Sequence, residues 1–264
     1  MAALTPCEGT SVIDARRWAT GLLATSSETP RLDAEVLLAH VLGMGRTALV
    51  TDGGRCLSPA QAEQFTGLVR RRLRGEPVAY LTGRRAFFDL ELMVDARVLI
   101  PRPETELLLE TALAWAQKMA PEPLRVVDVG TGSGALAIAV ARHLERSSVL
   151  ATDLSVEALQ VAAANLAVYG LFGRIALVRG DLLTCVRGPV EVIVSNPPYV
   201  PRDRLPTLST TFVSMSHRWP WMVAIAGWRS SSGCCIRRPS AWRRRGCWPW
   251  RSTRPKGRPA MRWP

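Results

Sequence analysis

Asn196-Pro197-Pro198-Tyr199 join a carboxamide, two residues lacking a backbone N–H and an aromatic ring in four consecutive positions. They follow the apolar run Val190-Glu191-Val192-Ile193-Val194-Ser195, where a buried strand would end and hand its next residues to a ligand crevice. Sixty residues upstream, Val126-Val127-Asp128-Val129 runs into Gly130-Thr131-Gly132-Ser133-Gly134 and then a helix-like stretch from Ala135. The first motif is a candidate site for methylating a planar amide or amino nitrogen, and the second is a candidate cofactor turn. The competing reading of Asn196 to Tyr199 is a turn that only terminates a strand.

Glycines in the second motif permit a tight strand-to-helix turn and a close ligand approach to the backbone. A glycine-rich turn alone is weakly specific. Asp153 sharpens it: in Leu150-Ala151-Thr152-Asp153 it lies about twenty residues beyond the glycines, where a carboxylate can accept both hydroxyls of a nucleoside ribose. Asp153 could instead cap the helix that starts near Val156. A third point is Gly180-Asp181-Leu182, where Asp181 and Leu182 can flank an adenine, one by hydrogen bonding and one by packing. An ordinary loop is the alternative there.

The elements needed to hold these residues are legible from periodicity. Apolar residues recur at helical spacing from about Ser11 to Arg74, as in Leu32, Val36, Leu37 and Phe65, Leu68, Val69. Ser58-Pro59-Ala60-Gln61 reads as an N-cap followed by proline at the first helical position. Arg70-Arg71-Arg72 with Arg74 could touch phosphate, but such a run on a helix end is more often a solvated face. Residues 87–99 alternate as a β-hairpin, and Pro101-Arg102-Pro103 forces an extended turn before a helix at 104–119. Strand and helix signals then alternate at 124–129, 135–144, 149–152, 156–169, 175–179 and 190–195. The predicted fold class is α/β, a doubly wound, mostly parallel Rossmann-like sheet preceded by a small all-helical domain.

The 264 residues suffice for one large domain or two small ones. Neither a run of about 20 apolar residues nor a signal-peptide pattern is present, so a cytoplasmic protein that does not engage a membrane is expected. The six cysteines have no metal-binding or redox spacing and are read as free thiols, with no metal site expected. The net charge of +12 is unevenly spread. Residues 212–264 hold twelve Lys and Arg and no Asp or Glu, which leaves 22 basic and 22 acidic side chains in the body. A neutral body argues against a nucleic-acid partner. His143 and His217 have no partner near them in sequence and receive no role.

The spacing of glycine loop, Asp153 and Asp181 resembles class I S-adenosylmethionine-dependent methyltransferases. With Leu99-Ile100-Pro101-Arg102-Pro103-Glu104-Thr105-Glu106, Pro77-Val78-Ala79-Tyr80-Leu81-Thr82-Gly83 and the helical front, residues 11–206 resemble the PrmC/HemK family, the peptide chain release factor glutamine methyltransferases. That resemblance implies S-adenosyl-L-methionine as cofactor, held by Gly130, Thr131, Gly132, Ser133, Gly134, Asp153, Asp181, Leu182 and Asn196. The implied substrate is the glutamine of the Gly-Gly-Gln loop in class 1 release factors, and the enzyme is expected to be a monomer. Asn196 through its side-chain oxygen and Pro197 through its carbonyl would accept hydrogen bonds from the substrate NH2, with Pro198 stiffening the turn and Tyr199 stacking on the amide. Arg102 and Glu104 would shape the lip of the cofactor pocket or brace it. Two alternatives stay open: an N6-adenine methyltransferase on DNA or RNA, whose flipped base offers a similar amino group, and an inactive remnant binding nucleic acid through a basic tail.

Three units are expected: 1–84, a helical substrate-docking domain; 85–211, the methyltransferase domain with its hairpin connector at 85–100; and 212–264, a tail unlike the rest. Seven of the nine tryptophans fall in that tail. In the resembling family the chain continues with Ala-Leu-Asp-Gly-Gly and later an apolar strand ending in Glu. Trp and Met have single codons, so a displaced frame can be tested: Arg218 to Trp228 then permits Val-Ala-Leu-Asp-Gly-Gly-Asp-Arg-Gly-Leu, and Gly246 to Arg251 permits Val-Leu-Ala-Leu-Glu. The expectation is a frameshift between about Leu205 and Arg218, a disordered tail, and a sheet whose C-terminal part is missing or garbled.

Overall fold

The computed structural model describes residues 9–119, 123–187 and 190–196. The expectations for Pro197, Pro198, Tyr199 and residues 212–264 therefore lie outside the described residues.

Five helices build the front of the chain: α1 (Val12–Leu23), α2 (Pro30–Leu42), α3 (Ala48–Thr51), α4 (Pro59–Leu73) and α5 (Val78–Thr82). Their boundaries follow capping chemistry. The Ser11 side chain accepts from the Asp14 N–H at the head of α1, and Ser58 with Gln61 forms a reciprocal capping box on α4 with Pro59 behind it. Val12, Leu23, Leu37, Leu38, Phe65 and Val69 are fully buried between these helices, and the Trp18 ring lies 6.1 Å from that of Phe65. Each such side chain contributes on the order of 1.5–3 kcal/mol by leaving water. The arginine run on α4 is partly occupied within this unit, because Arg72 Nε donates to the buried Asp33 carboxylate at 2.7 Å and Arg71 pairs with Glu76.

The hairpin forms earlier than alternation predicts, as β1 (Arg84–Phe87) paired antiparallel with β2 (Leu90–Met93). A turn of only two residues, Phe88 and Asp89, fixes the register, with Phe88 in the left-handed region at φ 54°. Val94 and Val98, which prolong the apolar alternation, instead pack against Ala158, Val161 and Tyr80. Asp89 gives His143 the partner that its sequence neighbourhood lacks. His143 Nε2 lies 3.2 Å from Asp89 Oδ1, and Phe88 meets the imidazole edge-on.

After α6 (Pro103–Met119) come β3 (Leu124–Val129), α7 (Ala135–His143), β4 (Ser147–Asp153), α8 (Val156–Tyr169), β5 (Ile175–Arg179) and β6 (Val192–Ser195). The four strands run parallel in the order β5-β4-β3-β6. Leu124, Val126, Val149, Ala151, Ile175, Val192 and Val194 bury one face of the sheet under α6, α7 and α8. On the opposite face Val127, Val129 and Leu150 pack with Leu183, Val186 and Val190 of the segment leading into β6. The winding thus proceeds outward from β3 to β5 and then reverses to set β6 on the other side of β3. That reversal opens a crevice at the carboxyl ends of β3 and β6. Among the described residues no helix is long and apolar enough to cross a membrane.

Candidate active site

The glycine turn and Asn196 sit at that crevice. Val129 pairs with Ser195 in the β3–β6 ladder, so Gly130 and Asn196 emerge side by side although 66 residues separate them. Ser195 Oγ donates to the Val129 carbonyl at 2.8 Å and pins the two strand tips together.

The glycine turn is built by backbone bonds. Gly130 N–H and Thr131 N–H both donate to the Thr152 carbonyl, at 2.8 and 2.9 Å, tying the turn to the end of β4. Gly130, Gly132 and Gly134 have φ of 72°, 55° and 83°. Gly134 is further restricted, because a Cβ there would stand 3.3 Å from Ile138 Cδ1 and 3.4 Å from Ala162 Cβ, where α7 and α8 approach. At Gly130 and Gly132 the same test finds open space, the room a ligand would need against the backbone.

Asp153 closes the turn from β4. Its Oδ2 accepts from Gly132 N–H at 2.9 Å and its Oδ1 from Ser155 N–H at 3.0 Å. The helix-capping role belongs to Ser155, whose hydroxyl accepts from Ala158 N–H at 3.0 Å. The half-buried Asp153 carboxylate therefore faces the glycine turn with lone pairs left over for a ribose. Gly180 N–H donates to the Asp153 carbonyl at 3.0 Å, which brings the exposed Asp181 and Leu182 to the same rim. Leu182 has φ 49°, a conformation costly for a side chain of its size.

Asn196 is half-buried, and its Nδ2 donates to Thr105 Oγ1 at 2.5 Å. Thr105 is buried in the first turn of α6, where its N–H donates to the Arg102 carbonyl at 2.9 Å. Glu104 is exposed in the same turn, and Glu106, two residues further on, accepts Phe88 N–H at 3.0 Å.

Two further residues hold the site without having been singled out by the motifs. Asp128, in the buried heart of β3, accepts from Thr131 Oγ1 at 2.7 Å and from Ala137 N–H at 3.2 Å through Oδ2. Its Oδ1 is buried and has no protein partner among the described residues. Burial pushes the Asp128 carboxyl up to about 7 against the pull of those two donors. Asn165 of α8 donates to Ser133 O at 2.9 Å and to Met93 O at 3.0 Å, and accepts from Met93 N–H at 2.7 Å. Both were detectable in principle as single polar residues inside apolar runs, Val126-Val127-Asp128-Val129 and Ala162-Ala163-Ala164-Asn165-Leu166.

A parallel sheet that reverses its winding between a glycine turn and an Asn-tipped strand, with a carboxylate on the neighbouring strand, defines a Rossmann-like methyltransferase core. Residues 14–83 match the PrmC N-terminal domain and residues 104–218 the methyltransferase small domain. The release factor glutamine methyltransferase of Chlorobaculum tepidum is 40% identical over 227 residues, 83% of this chain and 77% of that protein. That of Bradyrhizobium diazoefficiens is 39% identical over 206 residues, 77% of this chain and 69% of the relative. The Escherichia coli protein of the same name is 42% identical over 176 residues, 66% and 62% of the two chains. The chain belongs to the release factor glutamine methyltransferase family.

Proposed function

We propose that this chain uses S-adenosyl-L-methionine to methylate the side-chain amide nitrogen of the glutamine in the Gly-Gly-Gln loop of class 1 release factors, acting as a cytoplasmic monomer. The juxtaposition of Gly130 and Asn196 at the seam of β3 and β6 carries this reading, because it sets a nucleoside-cofactor turn beside a carboxamide. The open backbone at Gly130 and Gly132 and the carboxylate of Asp153 suit such a cofactor. Thr131, Ser133, Gly134, Asp181 and Leu182 complete its assigned cradle. When bound, the cofactor supplies an electrophilic methyl group.

The protein's task is to present a weak nucleophile, since an amide lone pair is delocalised into its carbonyl. The Asn196 side-chain oxygen and the Pro197 carbonyl accept the two N–H bonds of the substrate amide, which orients its nitrogen and favours the positive charge that develops there. Pro198 keeps the turn stiff and Tyr199 covers the amide plane. Two acceptors also reject an oxygen nucleophile. No strong general base is needed, since the proton can leave after transfer.

The domain division that goes with this reading is a helical release-factor docking unit at 1–84, a methyltransferase unit at 85–211, and a segment at 212–264 read from a displaced frame.

Asn196→Ala is expected to lower methyl transfer to release factor by about a hundredfold or more while cofactor binding by calorimetry persists. The assay offers release factor and nucleic acid side by side. Label in nucleic acid alone, or an undiminished rate in Asn196→Ala, refutes the proposal.

A further inference from the structure

A carboxamide is nearly symmetric in shape and opposite in chemistry at its two ends. Rotation by a half-turn about its last torsion exchanges an acceptor oxygen for a donor NH2 at little steric cost. If Asn196 accepts a bond from a substrate amide, as proposed above, the flipped form would oppose NH2 to NH2 and present no acceptor. The substrate NH2 itself selects the oxygen end, but something in the protein must hold the side chain in place with its inner end satisfied.

We propose that Thr105 is the positioning residue that does so. Its hydroxyl lies 2.5 Å from Asn196 Nδ2 and receives that N–H, which turns Oδ1 away from α6. Thr105 is buried, so when Oδ1 engages substrate the inner Nδ2–H has a partner rather than remaining unpaired in the interior. A hydroxyl supplies that partner where a methyl would not.

The placement of Thr105 does not depend on Asn196. Its N–H is bonded to the Arg102 carbonyl, Leu108 and Leu109 of the following turn are buried in the core, and Glu106 is tethered to Phe88 of the hairpin. Asn196 lies directly beyond the end of β6. The contact runs from a helix anchored by its own neighbours to the carboxamide at the tip of that strand, across 91 residues of sequence.

This inference rests on the proposed role of Asn196, and the test separates the two. Thr105→Val, Thr105→Ser and Asn196→Ala are made in the full chain. Transfer to release factor is followed together with the side-chain amide signals of Asn196 in 15N-labelled protein, assigned by their loss in Asn196→Ala. Thr105→Val is expected to lower kcat about tenfold with the cofactor KM unchanged, to shift the Asn196 amide protons upfield and to speed their exchange with water. Thr105→Ser is expected to recover most of the rate and the original signal, which a general loss of packing would not allow. An undiminished kcat in Thr105→Val, an unmoved amide signal, or no recovery in Thr105→Ser overturns the role of Thr105. An undiminished rate in Asn196→Ala defeats instead the proposed role of the carboxamide, and the amide signal alone then decides whether Thr105 orients it.

Discussion

Asp128 shows how one carboxyl can serve structure at a cost that depends on pH. Gly134, at the head of α7, has no side chain with which to cap the helix, and Asp128 reaches from β3 to take the N–H of Ala137 instead. Burial lifts its carboxyl to about 7, above the value it has in an unfolded chain. A raised carboxyl favours folding below the unfolded value, near 4, and that contribution is lost as pH climbs through about 7. Asp128→Asn keeps an acceptor for Thr131 and Ala137 but does not titrate. Melting temperatures measured between pH 4.5 and 8 should therefore fall more steeply with rising pH in the wild type than in Asp128→Asn, and parallel profiles would refute this. Glycines, Asp153 and Asn196 were legible because their types are unusual where they occur. Thr105 was not, since nothing near it in sequence signals a partner 91 residues away.

The elements were legible where one force decides them. Leu124–Val129, Val156–Tyr169 and Ile175–Arg179 coincide with their expected bounds because each is an apolar run cut off by glycine or by a capping residue. The hairpin was displaced because its turn, and not its apolar alternation, sets the pairing. What no periodicity reveals is that α8 is fastened to two other elements through one side chain, Asn165, which bridges β2 at Met93 and the glycine turn at Ser133. Asn165→Leu would leave three backbone groups without their partner, a loss of roughly 2–3 kcal/mol. The expected outcome is a melting temperature lower by several degrees together with weaker cofactor affinity by calorimetry. If the protein melts within a degree of wild type, the bridge contributes nothing.

For the whole molecule, the amino-acid sequence separates a neutral body from a basic tail more sharply than any structural boundary. The match to the methyltransferase family model runs to residue 218, the position from which the displaced frame proposed for the tail would permit Val-Ala-Leu-Asp-Gly-Gly. Among the described residues β6 is an edge of the sheet, and an unpaired edge is a liability that natural sheets cover or charge. If the tail is read from a displaced frame, as proposed, a gene with that frame corrected between codons 205 and 218 should yield protein with a higher melting temperature and tighter cofactor binding than this chain. Resequencing that returns one uninterrupted frame through residue 264 would remove the idea.

The ladder that aligns Val129 with Ser195 has a consequence for how such a protein can vary over time. Successive residues of a strand face opposite sides, so sliding β6 by a single step would point the wrong side chain into the cleft and carry its tip about 3.3 Å along. Lengthening the excursion between β5 and β6 changes nothing at that junction. Insertions and deletions should therefore accumulate freely in the outlying loops of kindred proteins and be absent within the four residues of β6, whatever substitutions those residues accept.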